Sequence, residues 1–130
     1  MAVVNVLTDS ISISYTGNGK AVSSKLGTFT GTKDAGVAAV IPAGSVNFEI
    51  DVAFPMANIQ SIVFDSTQNV TIKTNVSASP ADTIALNANY GVYWGIGFLA
   101  AKPLTADVTK FFISNPGATD AAFNFRVLYN

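Results

Sequence analysis

The sequence predicts an all-β chain: a single antiparallel β-sandwich domain over residues 1–130, built as a jelly roll or a related Greek-key arrangement. Three observations carry that expectation. Apolar and polar residues alternate with period two through most of the chain. Turn-forming residues interrupt the alternation roughly every 8 to 12 positions. No stretch has the spacing of a long amphipathic helix, and no internal repeat or linker breaks the pattern.

Residues 2–7 are the first strand candidate. Next, Ile11, Ile13 and Tyr15 alternate with Ser10, Ser12 and Ser14. Asn18-Gly19 suits the positive φ values of a type I′ hairpin turn and leads to a strand over residues 21–30, then another over residues 37–41. The stretch VNFEIDVAF, residues 46–54, is the clearest of all. Val46, Phe48, Ile50, Val52 and Phe54 share one face, with Asn47, Glu49, Asp51 and Ala53 on the other. Pro42-Ala43-Gly44 and Pro55 bound it. Strands over residues 58–64 and 70–76 follow. Residues 75–89 are the least regular, with Pro80 and room for a short helical turn near residues 82–86. Strands over residues 90–98, 108–114 and 121–129 complete the set. Pro116-Gly117 fits the centre of a type II turn, which would join the last two strands as a C-terminal hairpin.

Composition narrows the function classes. Hydrophobic residues make up 49% of the chain and charged residues 12%, about half the ~25% usual in soluble domains. A domain of 130 residues has limited interior, so surplus apolar surface points to contacts with other subunits. Net charge is −1 with Lys and Arg scattered, which leaves nucleic acid no electrostatic footprint. No apolar run approaches the ~18 residues of a membrane helix. The opening MAVVNVLTDS lacks the basic and long apolar regions of a signal peptide.

Catalytic chemistry is also poorly supplied. The chain has no histidine and no cysteine, which excludes Ser-His-Asp and Cys-His arrangements and thiolate metal sites. Glu49 and Asp51 share a strand face about 7 Å apart, yet alternation accounts for them as solvated outer-face residues. Asp65-Ser66-Thr67-Gln68-Asn69 offers oxygen ligands without the glycine and closing glutamate of a calcium loop. Asn69-Val70-Thr71 and Asn75-Val76-Ser77 match the short glycosylation pattern. The expectation is a non-enzyme with no cofactor and no metal.

YGVYWGIGFLA, residues 90–100, contains the single tryptophan. As a strand it places Tyr90, Val92, Trp94, Ile96 and Phe98 on one face, and Gly91, Tyr93, Gly95, Gly97 and Leu99 on the other. The bulky side reads as core, and the glycines as a bulge or the close approach of another segment. A sharper reading makes the bare side a groove for a partner chain, and a third exposes Tyr93 or Trp94 as a sugar-stacking platform. In Phe111-Phe112-Ile113 either Phe111 or Phe112 must leave the core side; an outward one, Phe112, near the glycines would extend a patch, or a loop would simply cover it. The candidate partner surface is therefore Gly91, Tyr93, Gly95, Gly97 and Phe112.

The C-terminal third, with PLTADVTKFFISN, a short glycine-containing turn and the ending FRVLYN, resembles small virion structural proteins of tailed bacteriophages. IPAGS, residues 41–45, is similar to segments found there. That resemblance implies a β-sandwich on the virus particle, a capsid decoration or cement protein more than a tail component. Its partners would be the major capsid protein or other virion subunits and copies of itself, a trimer favoured. A carbohydrate-binding or lectin-like module using Tyr90, Tyr93 or Trp94 is the alternative. A fibre-forming matrix protein that recruits strands edge to edge is a third reading.

Overall fold

Alternation of the kind read above folds as ten strands in the computed structural model, which describes residues 6–17 and 19–130. Their order is β1 (Leu7–Gly17), β2 (Lys20–Gly31), β3 (Lys33–Ile41), β4 (Phe48–Phe54), β5 (Ile59–Ser66), β6 (Val70–Thr74), β7 (Thr83–Leu86), β8 (Val92–Gly95), β9 (Val108–Ser114) and β10 (Ala121–Tyr129). The expected strand over residues 2–7 falls mostly outside the described residues, as does Asn18 of the expected hairpin turn. Gly19 has φ +73°, and Gly17 pairs with Lys20 across a two-residue loop.

β1 and β2 form a separate antiparallel hairpin. The other eight strands form two four-stranded sheets, β3-β10-β5-β8 and β4-β9-β6-β7. Pairing is antiparallel and nested: β3 with β10, β4 with β9, β5 with β8, β6 with β7. The ladders β10–β5 and β9–β6 then join neighbouring pairs. A long four-layered hairpin wrapped into two facing sheets gives this order, and it is the jelly roll.

The core lies between the sheets. Phe64, Phe123 and Phe125 from the first sheet meet Phe54 and Phe111 from the second. Phe125 lies 5.3 Å from Phe54, 4.7 Å from Phe64 and 4.9 Å from Phe111 between ring centroids. Offset and edge-on contacts of this kind add to the area buried. Ile41, Ile62, Ile72, Val108, Ile113 and Val127 fill the rest and are essentially inaccessible.

Several local expectations are corrected. β9 and β10 belong to different sheets, so no C-terminal hairpin forms. Gly117 does not adopt positive φ, which among the described glycines falls at Gly19, Gly44 and Gly97. The buried Asn115 shapes that crossing instead. Its Oδ1 accepts from Gly117 N at 3.1 Å, and its Nδ2 donates to Ile41 O and Thr119 O. Such side-chain bonds steer the backbone without a type II turn.

Near residues 82–86 the helical turn is replaced by β7. Asp82 does not cap a helix, because its carboxylate accepts from Thr105 N at 2.9 Å and Thr105 Oγ1 at 2.7 Å. Ile84 and Leu86 then alternate inward as a short edge strand. β4 starts at Phe48, since Asn47 has φ +52° and Val46 is left exposed. β6 ends at Thr74 for the same reason, with Asn75 at φ +70°.

Asn75 is a tie as well as a terminator. Its Nδ2 donates to Asp107 O at 2.8 Å, and its Oδ1 accepts from Thr109 N at 2.8 Å. That amide nitrogen is thus already engaged at one of the two glycosylation-like sites. Asn75→Ala is expected to cost about 2 kcal/mol through lost hydrogen bonds and left-handed strain. Asn75→Gly keeps the backbone conformation and should cost less, and urea unfolding of both variants measures the difference.

Candidate interaction surface

The outer face of the first sheet can be read row by row from the registers. Across β3, β10, β5 and β8 the outward residues run Asp34, Leu128, Ser61, Gly95, and then Gly36, Arg126, Val63, Tyr93. The next row is Ala38, Asn124, Asp65, and beyond it Val40 and Ala122. Period-two alternation places these residues outward because their neighbours fill the core.

The base of the β1–β2 hairpin covers the first row. Phe29 on β2 is 4% exposed and rests on Gly95, where an added Cβ would lie 2.1 Å from its ring. Phe98 meets the same ring edge-on at 5.7 Å. Gly31 comes so close to Leu128 that Leu128 is fully buried, although it points away from the main core. Asp9 on β1 accepts from Arg126 Nε at 3.0 Å and from Ser61 Oγ at 3.3 Å. Arg126 also approaches Asp34 at 3.3 Å. The hydrogen bond to Asp9 is the chief cause of a raised Arg126 pKa, opposed by burial.

These contacts answer what the glycines of the aromatic stretch are for. Gly95 receives the ring of Phe29, and Gly91 lies against the ring tip of Tyr93, where an added Cβ would be 2.2 Å from Tyr93 Cζ. The strand itself is shorter than expected, only Val92–Gly95, bracketed by Asn89 at φ +63° and Gly97 at φ +93°. Tyr90 and Ile96 are exposed, outside the core face foreseen for them. Trp94 is buried at 8%, its Nε1 donating to Ala100 O at 3.2 Å and Lys102 Nζ standing 5.2 Å from its ring. It is therefore no open stacking platform.

The candidate partner residues separate accordingly. Gly91 and Tyr93 remain together on the outer face of the first sheet. Gly95 shares that face but lies beneath Phe29. Gly97 sits in the turn after β8, with open space where a side chain would project. Phe112 is on the other sheet altogether, half-buried between Glu49 and Lys73, its register partners. Phe111 takes the core side.

Uncovered, the middle of the face has a floor of small residues. Gly36, Ala38 and Val63, with Asn124 and Arg126 beside them, line a shallow depression of ≈ 450 Å³. At its margin runs β3, an edge strand of unusual character. The other three edges are blunted. β7 and β8 have four residues each, and β4 has a register shift after Asp51 and a charged outer side. There Lys110 pairs with Glu49 and, at 3.7 Å, with Asp51. Its pKa is raised, first through the hydrogen bond to Glu49.

β3 has none of these devices between residues 35 and 41. It pairs with β10 over nine residues without a register break, and AGVAAVI carries no charge and no proline. Val40 stands 61% exposed. Among the described residues, no backbone hydrogen bond besides the β10 ladder involves residues 33–40. A long edge without a register break, uncharged over residues 35–41, is a template for another strand. Sequence reading missed it because the signal is a lack of charge in a modest strand, visible only once β3 is known to be at an edge.

Compared with known proteins, the chain matches no family model, no curated protein and no solved structure. What the fold and surface define is a class: an eight-stranded jelly roll with a hairpin docked on one sheet.

Proposed function

We propose that this chain is a structural protein of a bacteriophage virion, seated on the capsid surface, that attaches to capsid subunits and to its own copies by adding strands at β3. The observation that supports the reading most is the undefended β3 edge beside an outer face of glycine, alanine and valine. A strand added there gains main-chain hydrogen bonds, and the small side chains let its backbone approach the sheet. Jelly rolls are frequent among capsid proteins, although a fold by itself assigns no function. The resemblance of the C-terminal third to small phage virion proteins adds to this reading. Repeated seating on a lattice would turn modest single contacts into lasting attachment.

The reading makes adhesion, not turnover, the work of the molecule. Among the described residues no group of three or more carboxylates is placed to hold a metal ion, and the carboxylates on β4 are engaged with Lys110. Binding of purified protein to capsid shells assembled without it tests the proposal. Wild type should co-sediment with shells or run larger than a monomer. Ala38→Lys with Val40→Lys should weaken binding at least tenfold, about 1.4 kcal/mol, without lowering the melting temperature. A strictly monomeric protein with no affinity for shells would contradict it.

A further inference from the structure

At the opposite edge of the same sheet, the β8 corner holds a feature that strand addition leaves unused. Tyr93 reaches back to Gly91, and the tip of its ring takes the space a side chain there would fill, since a Cβ would sit 2.2 Å from both Cζ and Oη. The ring tip is thus held against Gly91, while the residue stays 49% exposed. Beside it opens a depression of ≈ 230 Å³ lined by Asp65, Thr67, Asn89, Gly91 and Tyr93.

The polar groups here are held in place and partly unused. Asp65 Oδ1 accepts from Asn124 Nδ2 at 3.0 Å, and among the described residues Oδ2 has no partner. Asn89 is fixed by its positive φ and by its N–H, which donates to Ser66 O at 2.8 Å. Its side-chain amide makes no hydrogen bond among the described residues. Thr67 is anchored on β10, its Oγ1 accepting from Ala122 N at 2.9 Å. No lysine or arginine lines the depression.

We propose that this corner binds a neutral pyranose, as part of a surface polysaccharide or glycan. The C–H face of a pyranose stacks on an oriented aromatic ring. A carboxylate oxygen and a planar amide side by side match the hydroxyl donors and acceptors of adjacent ring carbons. With a carboxylate in the lining and no cation, acidic sugars meet repulsion and neutral ones do not. Tyr93 and β3 are separated by three strand spacings, roughly 14 Å, so attachment at one edge leaves the other open.

An NMR titration of the folded chain with methyl glycosides of glucose, mannose, galactose and N-acetylglucosamine, and short oligomers of each, tests the site. The expected result is millimolar binding of at least one neutral sugar, with shifts concentrated at the amides of Asn89, Gly91 and Tyr93. Tyr93→Ala should weaken it at least tenfold and Asp65→Asn severalfold, with Trp94 fluorescence unchanged as the check on folding. Glucuronic acid should not bind. The site is overturned if no neutral sugar shifts these amides at ~50 mM, well above the weak-binding range. Binding that survives both substitutions, or a preference for the acidic sugar, overturns it as well. None of these results bears on capsid attachment, which has its own assay.

Discussion

Phe111→Ala is expected to lower the melting temperature by roughly 10–15 °C, whereas Phe112→Ala should move it by about 3 °C or less. The two residues are adjacent in sequence and opposite in environment. Phe111 projects from the second sheet into Phe64, Phe123 and Phe125 of the first, with centroid distances of 5.8, 6.4 and 4.9 Å. Removing it leaves a cavity at the place where the two sheets grip each other. Buried phenylalanine truncations cost about 3–5 kcal/mol, a large part of the 5–15 kcal/mol that holds a domain together. Phe112 is only half-buried on the outer side of β9, so little is lost. Thermal unfolding followed by Trp94 fluorescence compares them directly, because the chain has a single tryptophan.

The second large effect concerns the hairpin. Phe29→Ala should cost about 3 kcal/mol, and Gly95→Val should cost a similar amount from the other side of the same contact. In the first the ring is absent; in the second a Cβ would lie 2.1 Å from the Phe29 ring and push it away. Both should loosen the hairpin base while leaving the sandwich assembled. Hydrogen exchange is the measurement that separates this from general destabilisation: amides of residues 7–11 and 27–31 should exchange faster, and those of β5, β9 and β10 should not. Asp9→Asn, which removes the partly exposed ion pair with Arg126 but keeps an amide oxygen that can accept from Ser61, should cost about 1 kcal/mol.

Much of the fold was legible in the sequence because alternation is a direct record of which side of a strand is buried. AAFNFRVLY states its inner face plainly, whereas Val46 and Phe48 of VNFEIDVAF are exposed and DVTKFFIS buries Val108, Phe111 and Ile113 across a break in the alternation. Strand ends were less legible. Asn47, Asn58, Asn75 and Asn89 all take positive φ, a conformation asparagine tolerates better than most residues. Each lies just beyond the end of a strand or its turn, yet asparagine is also common in ordinary loops. The false C-terminal hairpin has a different cause. Pro-Gly chemistry is local, whereas the crossing from β9 to β10 is decided by Asn115 reaching Ile41, 74 residues away.

The surface residues show the same division. Of the two readings of the glycines, a bulge or a close neighbouring segment, Gly95 fits the second through Phe29, whereas Gly91 makes room for Tyr93 of its own segment. Phe112 was placed near the glycines by its outward direction alone, and sheet topology sets it on the far side of the sandwich. β3 drew little notice because small apolar residues look ordinary until their position at an open edge is known.

Attachment through β3 is tested most directly by hydrogen exchange of residues 33–41, measured on the free protein and on protein bound to capsid shells. Alternate β3 amides that exchange rapidly in the free chain should become protected on binding, with the β4 and β7 edges unchanged. Binding that leaves β3 exchange as fast as before would contradict strand addition at this edge.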